Sequence, residues 1–196
     1  AKDFRQIITP ENKWIFELDF NAAELRVMLG LLGDEQPTED MHEWNLKNVY
    51  RDIGTREEAK KRIFAWLYNP ESQDFLSNRE YDRESILKKY WDGNEVQTLY
   101  NRTITADKHH ALNYIVQSTA ADVLFEQMYK VWKLLENKKS FIKFCSHDSI
   151  VIDLAEEDEA FIKDIKETFS QTRFGNFRIN CFGGKNWGNV KKMRIF

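Results

Sequence analysis

The 196 residues suffice for one large domain, or one domain carrying a smaller lobe, and the 42% apolar and 31% charged side chains allow a substantial core with no disordered tract. No apolar run approaches the roughly 20 residues that span a bilayer, which argues against a membrane partner. The net charge of −3 excludes a broadly basic nucleic-acid binder, so any nucleic-acid role must rest on local clusters.

The chain opens Ala1-Lys2-Asp3-Phe4 with neither an initiator Met nor a signal peptide, which predicts an intracellular segment of something longer. Residues 13–20 (KWIFELDF) are rich in β-formers and predict a buried strand ending in an acid. A helix is expected next, with Asn21 as N-cap, Leu25, Met28, Leu29 and Leu32 at helical spacing, and Gly33-Asp34-Glu35 as its end. Residues 40–51 predict a short helix. Thr55-Arg56-Glu57-Glu58 forms a capping box, and the helix it opens must stop at Asn69-Pro70.

Residues 79–91 predict one charged helix, followed by a turn at Asp92-Gly93-Asn94. A long helix is expected over about 107–137, with a candidate break at Gln117-Ser118-Thr119 where Thr119 and Asp122 could cap a second segment. Residues 140–154 predict two strands around His147-Asp148, then a helix over 159–170 and a last strand over 177–182. Cys145 and Cys181 lack any C-x-x-C or Cys/His spacing and are expected as buried free thiols. These elements predict an α+β fold, a small antiparallel sheet backed by helices.

Two features carry chemistry. Asp19 ends an otherwise apolar strand, and Asp148 sits at the tip of a hairpin between apolar strands. If those strands are neighbours, the two carboxylates share one sheet edge and favour divalent cations between them. Two Mg²⁺ ions about 4 Å apart could then clamp an in-line phosphoryl displacement. The plain alternative is that Asp19 caps a helix and Asp148 turns a hairpin. The second feature is the stripe Arg56, Lys60, Phe64 and Tyr68 at four-residue intervals on one helix. Its cations suit a triphosphate and its aromatics suit a sugar and a base, while an ordinary amphipathic helix explains the same spacing.

Six segments together resemble the DNA polymerase I family. Asp19-Phe20-Asn21-Ala22-Ala23-Glu24-Leu25-Arg26 is similar to its first motif, D-Y-S-x-x-E-L-R, and the Arg56-to-Tyr68 stripe to its second motif on the fingers helix. His147-Asp148-Ser149 resembles the third, usually H-D-E, and Asp40-Met41-His42 resembles the D-x-H of the fingers. Asn113-x3-Gln117-Ser118-Thr119-Ala120-Ala121-Asp122 resembles N-x3-Q-G-T-A-A-D, and Gly184-Lys185-Asn186-Trp187 resembles G-x-N-W. The order is that of the family, and the likeness covers nearly the whole chain.

The resemblance implies a phage-like palm over residues 1–33 and 106–196, with helical fingers over 34–105. The length leaves no room for a thumb or a 3′–5′ exonuclease domain. It implies that Asp19 and Asp148 hold two Mg²⁺ ions with the backbone carbonyl of Phe20. Arg56 and Lys60 would grip the phosphates of a deoxynucleoside triphosphate, Lys60 serving also as a catalytic acid for the departing pyrophosphate. Phe64 would contact the sugar and base, Tyr68 would stack near the templating base, Glu24 would exclude a 2′-OH, and His42 would contact phosphate. Asn113, Gln117 and His147 would touch primer–template DNA. The expected activity is DNA-templated DNA synthesis in a bacterial cytoplasm or phage-infected host, weak or absent in this segment alone. No residue points to a processivity factor.

Departures from the family pattern are Ser149 for Glu, Ser118 and Asn69 for Gly, and His109 for Arg. Ser149, a change also found in single-subunit phage RNA polymerases, keeps an RNA polymerase-like enzyme as an alternative. Glu24-Leu25-Arg26 and Phe64 match the deoxynucleotide-using branch instead. A non-catalytic nucleic-acid-binding remnant is the third reading, and it leaves the acids and cations without a purpose.

Overall fold

The structure, a computed structural model, describes residues 3–194; Ala1 and Lys2, part of the opening read above, lie outside them. In chain order a 3₁₀ turn (Asp3–Ile7) precedes β1 (Trp14–Phe20), α1 (Ala23–Leu32), α2 (Met41–Trp44) with a π turn (Asn45–Val49), α3 (Arg56–Tyr68), α4 (Phe75–Tyr81) and α5 (Arg83–Tyr90). There follow β2 (Glu95–Gln97), β3 (Thr103–Thr105), α6 (Ala111–Leu134), β4 (Phe141–Ser146), β5 (Ser149–Leu154), a 3₁₀ turn (Glu156–Phe161) and α7 (Ile162–Ser170). The chain then forms β6 (Gln171–Thr172), β7 (Gly175–Asn176), β8 (Ile179–Gly184), a 3₁₀ turn (Trp187–Asn189) and β9 (Lys191–Met193). Residues 3–21, 123–173 and 178–194 form one compact unit; residues 22–122 with 174–177 form a second. The α+β class with one small antiparallel sheet is the architecture expected from the sequence.

The first unit is built on the five-stranded sheet β4-β5-β1-β8-β9, antiparallel throughout. β5 is buried along all six of its residues, while the edge strand β9 carries exposed Lys191 and Lys192, which blunt it against further pairing. Side chains alternate across the sheet, so Phe16, Leu18 and Phe20 of β1 share the face that α7 covers; Phe20 stacks on Phe169 at 4.4 Å. Gln127 of α6 fastens that helix layer by donating to the carbonyls of Thr168, Phe169 and Gln171. The opposite face carries Ile15, Glu17 and Asp19 in register with Asp153, Val151 and Ser149 of β5.

The second unit is mostly helical, and its buried polar groups are tied together. Tyr81 donates to Asn45 Oδ1 at 2.6 Å, Tyr50 lies 2.8 Å from Ser77 Oγ, and Trp66 donates to Asn78 Oδ1 at 2.8 Å. Arg26, fully buried in α1, donates to the carbonyls of Pro37 at 2.8 Å and Glu39 at 3.0 Å. That motif arginine therefore holds the α1–α2 connection.

Thr55 forms the expected capping box with Glu58, and Gly33 (φ 88°) ends α1 with its N–H and that of Asp34 returned to the carbonyls of Gly30 and Leu29. Four expectations need correction. Asn21 does not cap α1: its N–H continues the sheet to Arg178 O at 2.9 Å, and Ala22, at φ 56°, turns the chain into the helix. The charged helix over 79–91 is two helices broken at Asp82, whose carboxylate caps α5. α6 runs unbroken through Gln117-Ser118-Thr119, because Ser118 donates its hydroxyl back to Tyr114 O and Asp122 pairs with Arg102 instead of capping. Cys145 is exposed, because it lies on the outer strand β4; Cys181 is buried, and both are free.

Arg26→Ala is expected to cost about 3 kcal/mol in urea unfolding, the sum of a cavity and two stranded carbonyls. A loss below about 0.5 kcal/mol would mean that Arg26 does not fix the connection.

Candidate active site

β1 delivers Asp19, and the β4–β5 turn delivers Asp148. Asp19 pairs with Ser149, the residue after Asp148, and the Phe20 N–H donates to the Asp148 carbonyl at 3.2 Å. His147 turns the hairpin at φ 55° and is exposed. The two carboxyl groups lie near enough to act on each other electrostatically. Burial first, and then the charge of Asp148, pushes Asp19 up to about 6; Asn180, donating from β8 at 3.1 Å, and the charge of Glu17 modify that shift in opposite directions. Burial also raises Asp148. Below about pH 6 one proton shared by two acids is the expected state of such a pair without a cation.

Asp153, on the same sheet face, shows what a structural acid looks like. It is fully buried, yet it accepts from the N–H groups of Glu11 at 2.7 Å and Asn12 at 2.9 Å and from Lys143 at 3.1 Å. Burial would raise it, but these donors outweigh burial and hold it below its usual range. At Asp19 the neighbours are one neutral amide and another carboxylate, so its charge is left for something else to neutralise.

Among the described residues no cluster of three or more His, Cys, Asp or Glu side chains could form an all-protein metal cage. A carboxylate pair fits Mg²⁺, which keeps several waters and takes one or two carboxylates plus substrate phosphates.

The second unit brings together the fingers candidates. Arg56, Lys60, Phe64 and Tyr68 lie along α3, with Lys60 exposed and Phe64 half-buried. Asp40 holds the Arg56 guanidinium in a two-pronged pair, both contacts at 2.9 Å, while Glu57 takes Nη1. The same Asp40 caps α2 through the N–H groups of His42 and Glu43. His42 is buried beside Phe64, rings 5.6 Å apart, with its Nδ1 lacking a hydrogen-bond partner; burial lowers it to about 4, so it is neutral at pH 7. Phe64 stacks on Tyr68 at 6.0 Å, and the Tyr68 hydroxyl donates to Glu24 at 2.5 Å. Asn113 and Gln117 lie one turn apart on α6, Gln117 exposed and Asn113 half-buried with its Oδ1 unpartnered.

Three contributors were not singled out from sequence: Asn180 on Asp19, Asp40 as the partner of Arg56, and Glu17. Only Glu17 had a local signal, since it stands two residues before Asp19 and so on the same strand face.

No family model matches the chain. It is 25% identical over 97% of its length to DNA polymerase I of Borreliella burgdorferi, and it spans 27% of that relative. A solved structure described as the POL domain of Pol1 from M. smegmatis in complex with DNA primer-template and dNTP superposes with a TM-score of 0.75, at 17% identity, over 95% of this chain and 42% of that one. The chain is thus similar to DNA polymerase I along nearly its whole length, and its fold is that of a polymerase domain. It spans about a quarter of the length of the curated relative it matches.

An acid whose folded pKa is raised stabilises the fold below its unfolded pKa and loses that contribution as pH rises through the folded value. With a chelator present, Asp19→Asn should therefore raise the melting temperature at pH 7–8 and leave it unchanged near pH 4. Equal melting temperatures for variant and parent across this range would contradict the shared-proton pair.

Proposed function

We propose that this chain carries the nucleotidyl-transfer centre of a DNA-templated DNA polymerase, residues 1–33 and 106–196 acting as palm and 34–105 as fingers. What carries the reading is the pair Asp19 and Asp148, brought together at one end of the sheet by the pairing of β1 with β5, with Asn180 as the amide donor to Asp19. The similarity to DNA polymerase I supports it. In the reaction a primer 3′-OH attacks the α-phosphorus of a deoxynucleoside triphosphate, a new P–O bond forms, and pyrophosphate leaves.

Asp19 and Asp148, with the Phe20 carbonyl, would hold two Mg²⁺ ions, which supply charge neutralisation at the attacking and leaving oxygens. Asp19 must be ionised to hold them, and with its pKa at about 6 it is mostly so at neutral pH. Arg56 would exchange Asp40 and Glu57 for phosphate oxygens, its planar fork already oriented by Asp40. Lys60, exposed one turn on, would donate a proton to the departing pyrophosphate. Neutral His42 would serve the phosphates as a hydrogen-bond partner rather than as a cation.

Phe64 would pack on the sugar and base, and Tyr68 would stand near the templating base. Tyr68 fixes the Glu24 carboxylate, so Glu24 can block the space of a 2′-OH. Asn113, Gln117 and His147 would contact primer–template DNA. The natural setting of this reaction is the cytoplasm of a bacterial or phage-infected cell.

Primer extension by the full-length parent tests the reading. Asp148→Ala should lower incorporation on the order of 10³-fold, several kcal/mol of transition-state stabilisation, with DNA binding retained. Extension at the parental rate would overturn it. In the same assay Glu24→Ala should reduce discrimination against ribonucleotides by about tenfold, roughly 1.4 kcal/mol. An unchanged ratio would remove Glu24 from sugar selection.

A further inference from the structure

We infer that Glu17 is a third carboxylate of the Asp19–Asp148 centre, a positioning residue that strengthens cation binding through its charge and through bridging water. The inference rests on the polymerase reading above and adds a residue to it.

The placement follows from strand geometry. Glu17 and Asp19 are two apart on β1 and point to the same face. Ser149 is the direct cross-strand partner of Asp19, and Glu17 pairs with Val151, so Ser149 and Glu17 are diagonal neighbours on that face. The Ser149 hydroxyl lies 2.9 Å from Glu17 Oε1, which draws the Glu17 carboxylate along the strand toward the Asp19 row. The same hydroxyl lies 2.9 Å from the Ser146 carbonyl, so its single proton has two competing acceptors. Ser149 is itself buried. The Glu17 carboxylate therefore has the Ser149 hydroxyl only as a shared donor.

Glu17 does not belong to a direct ligand set, since the described residues contain no cluster of three or more ligating side chains. Its reach is therefore that of an outer partner, through charge and a water. Ser149 directly follows Asp148, and its hydroxyl links that turn to the Glu17 carboxylate of the adjacent strand.

Mn²⁺ affinity, read by electron paramagnetic resonance on the full chain without DNA or nucleotide, tests this apart from activity. Glu17→Gln should weaken Mn²⁺ binding by about tenfold, as loss of an outer partner typically does. The double variant Glu17→Ser with Ser149→Glu, which returns the carboxylate from the neighbouring strand, should recover most of that affinity; a purely structural role for Glu17 would not be rescued this way. Asp19→Asn serves as the reference. If Asp19→Asn abolishes binding while Glu17→Gln binds as the parent does, the inference about Glu17 falls and the polymerase reading stands. If Asp19→Asn also binds Mn²⁺ normally, both fall.

Discussion

The structure depends on the antiparallel pairing of β1 with β5 in the register that sets Asp19 against Ser149. Because side chains alternate, a slip of one residue would turn Asp19 toward the face covered by α7 and Glu17 with it. The register is fixed by the apolar set on that covered face, Phe16, Leu18 and Phe20, with Phe20 stacked on Phe169. The hydrophobic face thus decides where the acids point. Folding brings two acids together at a cost that burial of the opposite face offsets. Asp153, a few residues further along β5, is instead satisfied by two backbone N–H groups and Lys143, as an acid that builds the fold.

In the helical unit, hydrogen bonds fix the candidate residues over an apolar core. Asp40 caps α2 and holds Arg56 in one geometry, and Tyr68 holds Glu24. A long arginine and a glutamate lose much rotamer freedom when they bind a ligand. Fixing them beforehand through Asp40 and Tyr68 removes part of that cost. Buried, neutral His42 backs Phe64 in the same way, as a rigid support for an aromatic contact surface.

Much of this was legible in the sequence because the signals were local. Thr55 and Glu58 specify a helix start within four residues, and KWIFELDF specifies a strand that ends in an acid. What escaped was set by distant partners or by competition. Asn21 has a good capping side chain, but its N–H is taken by the sheet through Arg178. Asp82 reads as one more helical acid, yet its carboxylate caps α5 and splits the segment. Ser118 and Thr119 look like a break, and a 24-residue helix with a buried face overrides them. The β2–β3 hairpin is only three residues per strand, too short for its period to register. Asn180 and Asp40 became visible as partners only when the chain folded their neighbours onto them.

The central claim, that Asp19 and Asp148 titrate as a coupled pair sharing one proton below about pH 6 and that a divalent cation displaces it, is most directly tested by following the carboxyl carbons of both residues by NMR as pH is varied, with and without Mg²⁺. The account predicts that without metal Asp19 titrates near pH 6, in step with a change at Asp148, and that saturating Mg²⁺ moves both transitions well below that pH. Two independent titrations near pH 4 that ignore Mg²⁺ would contradict it.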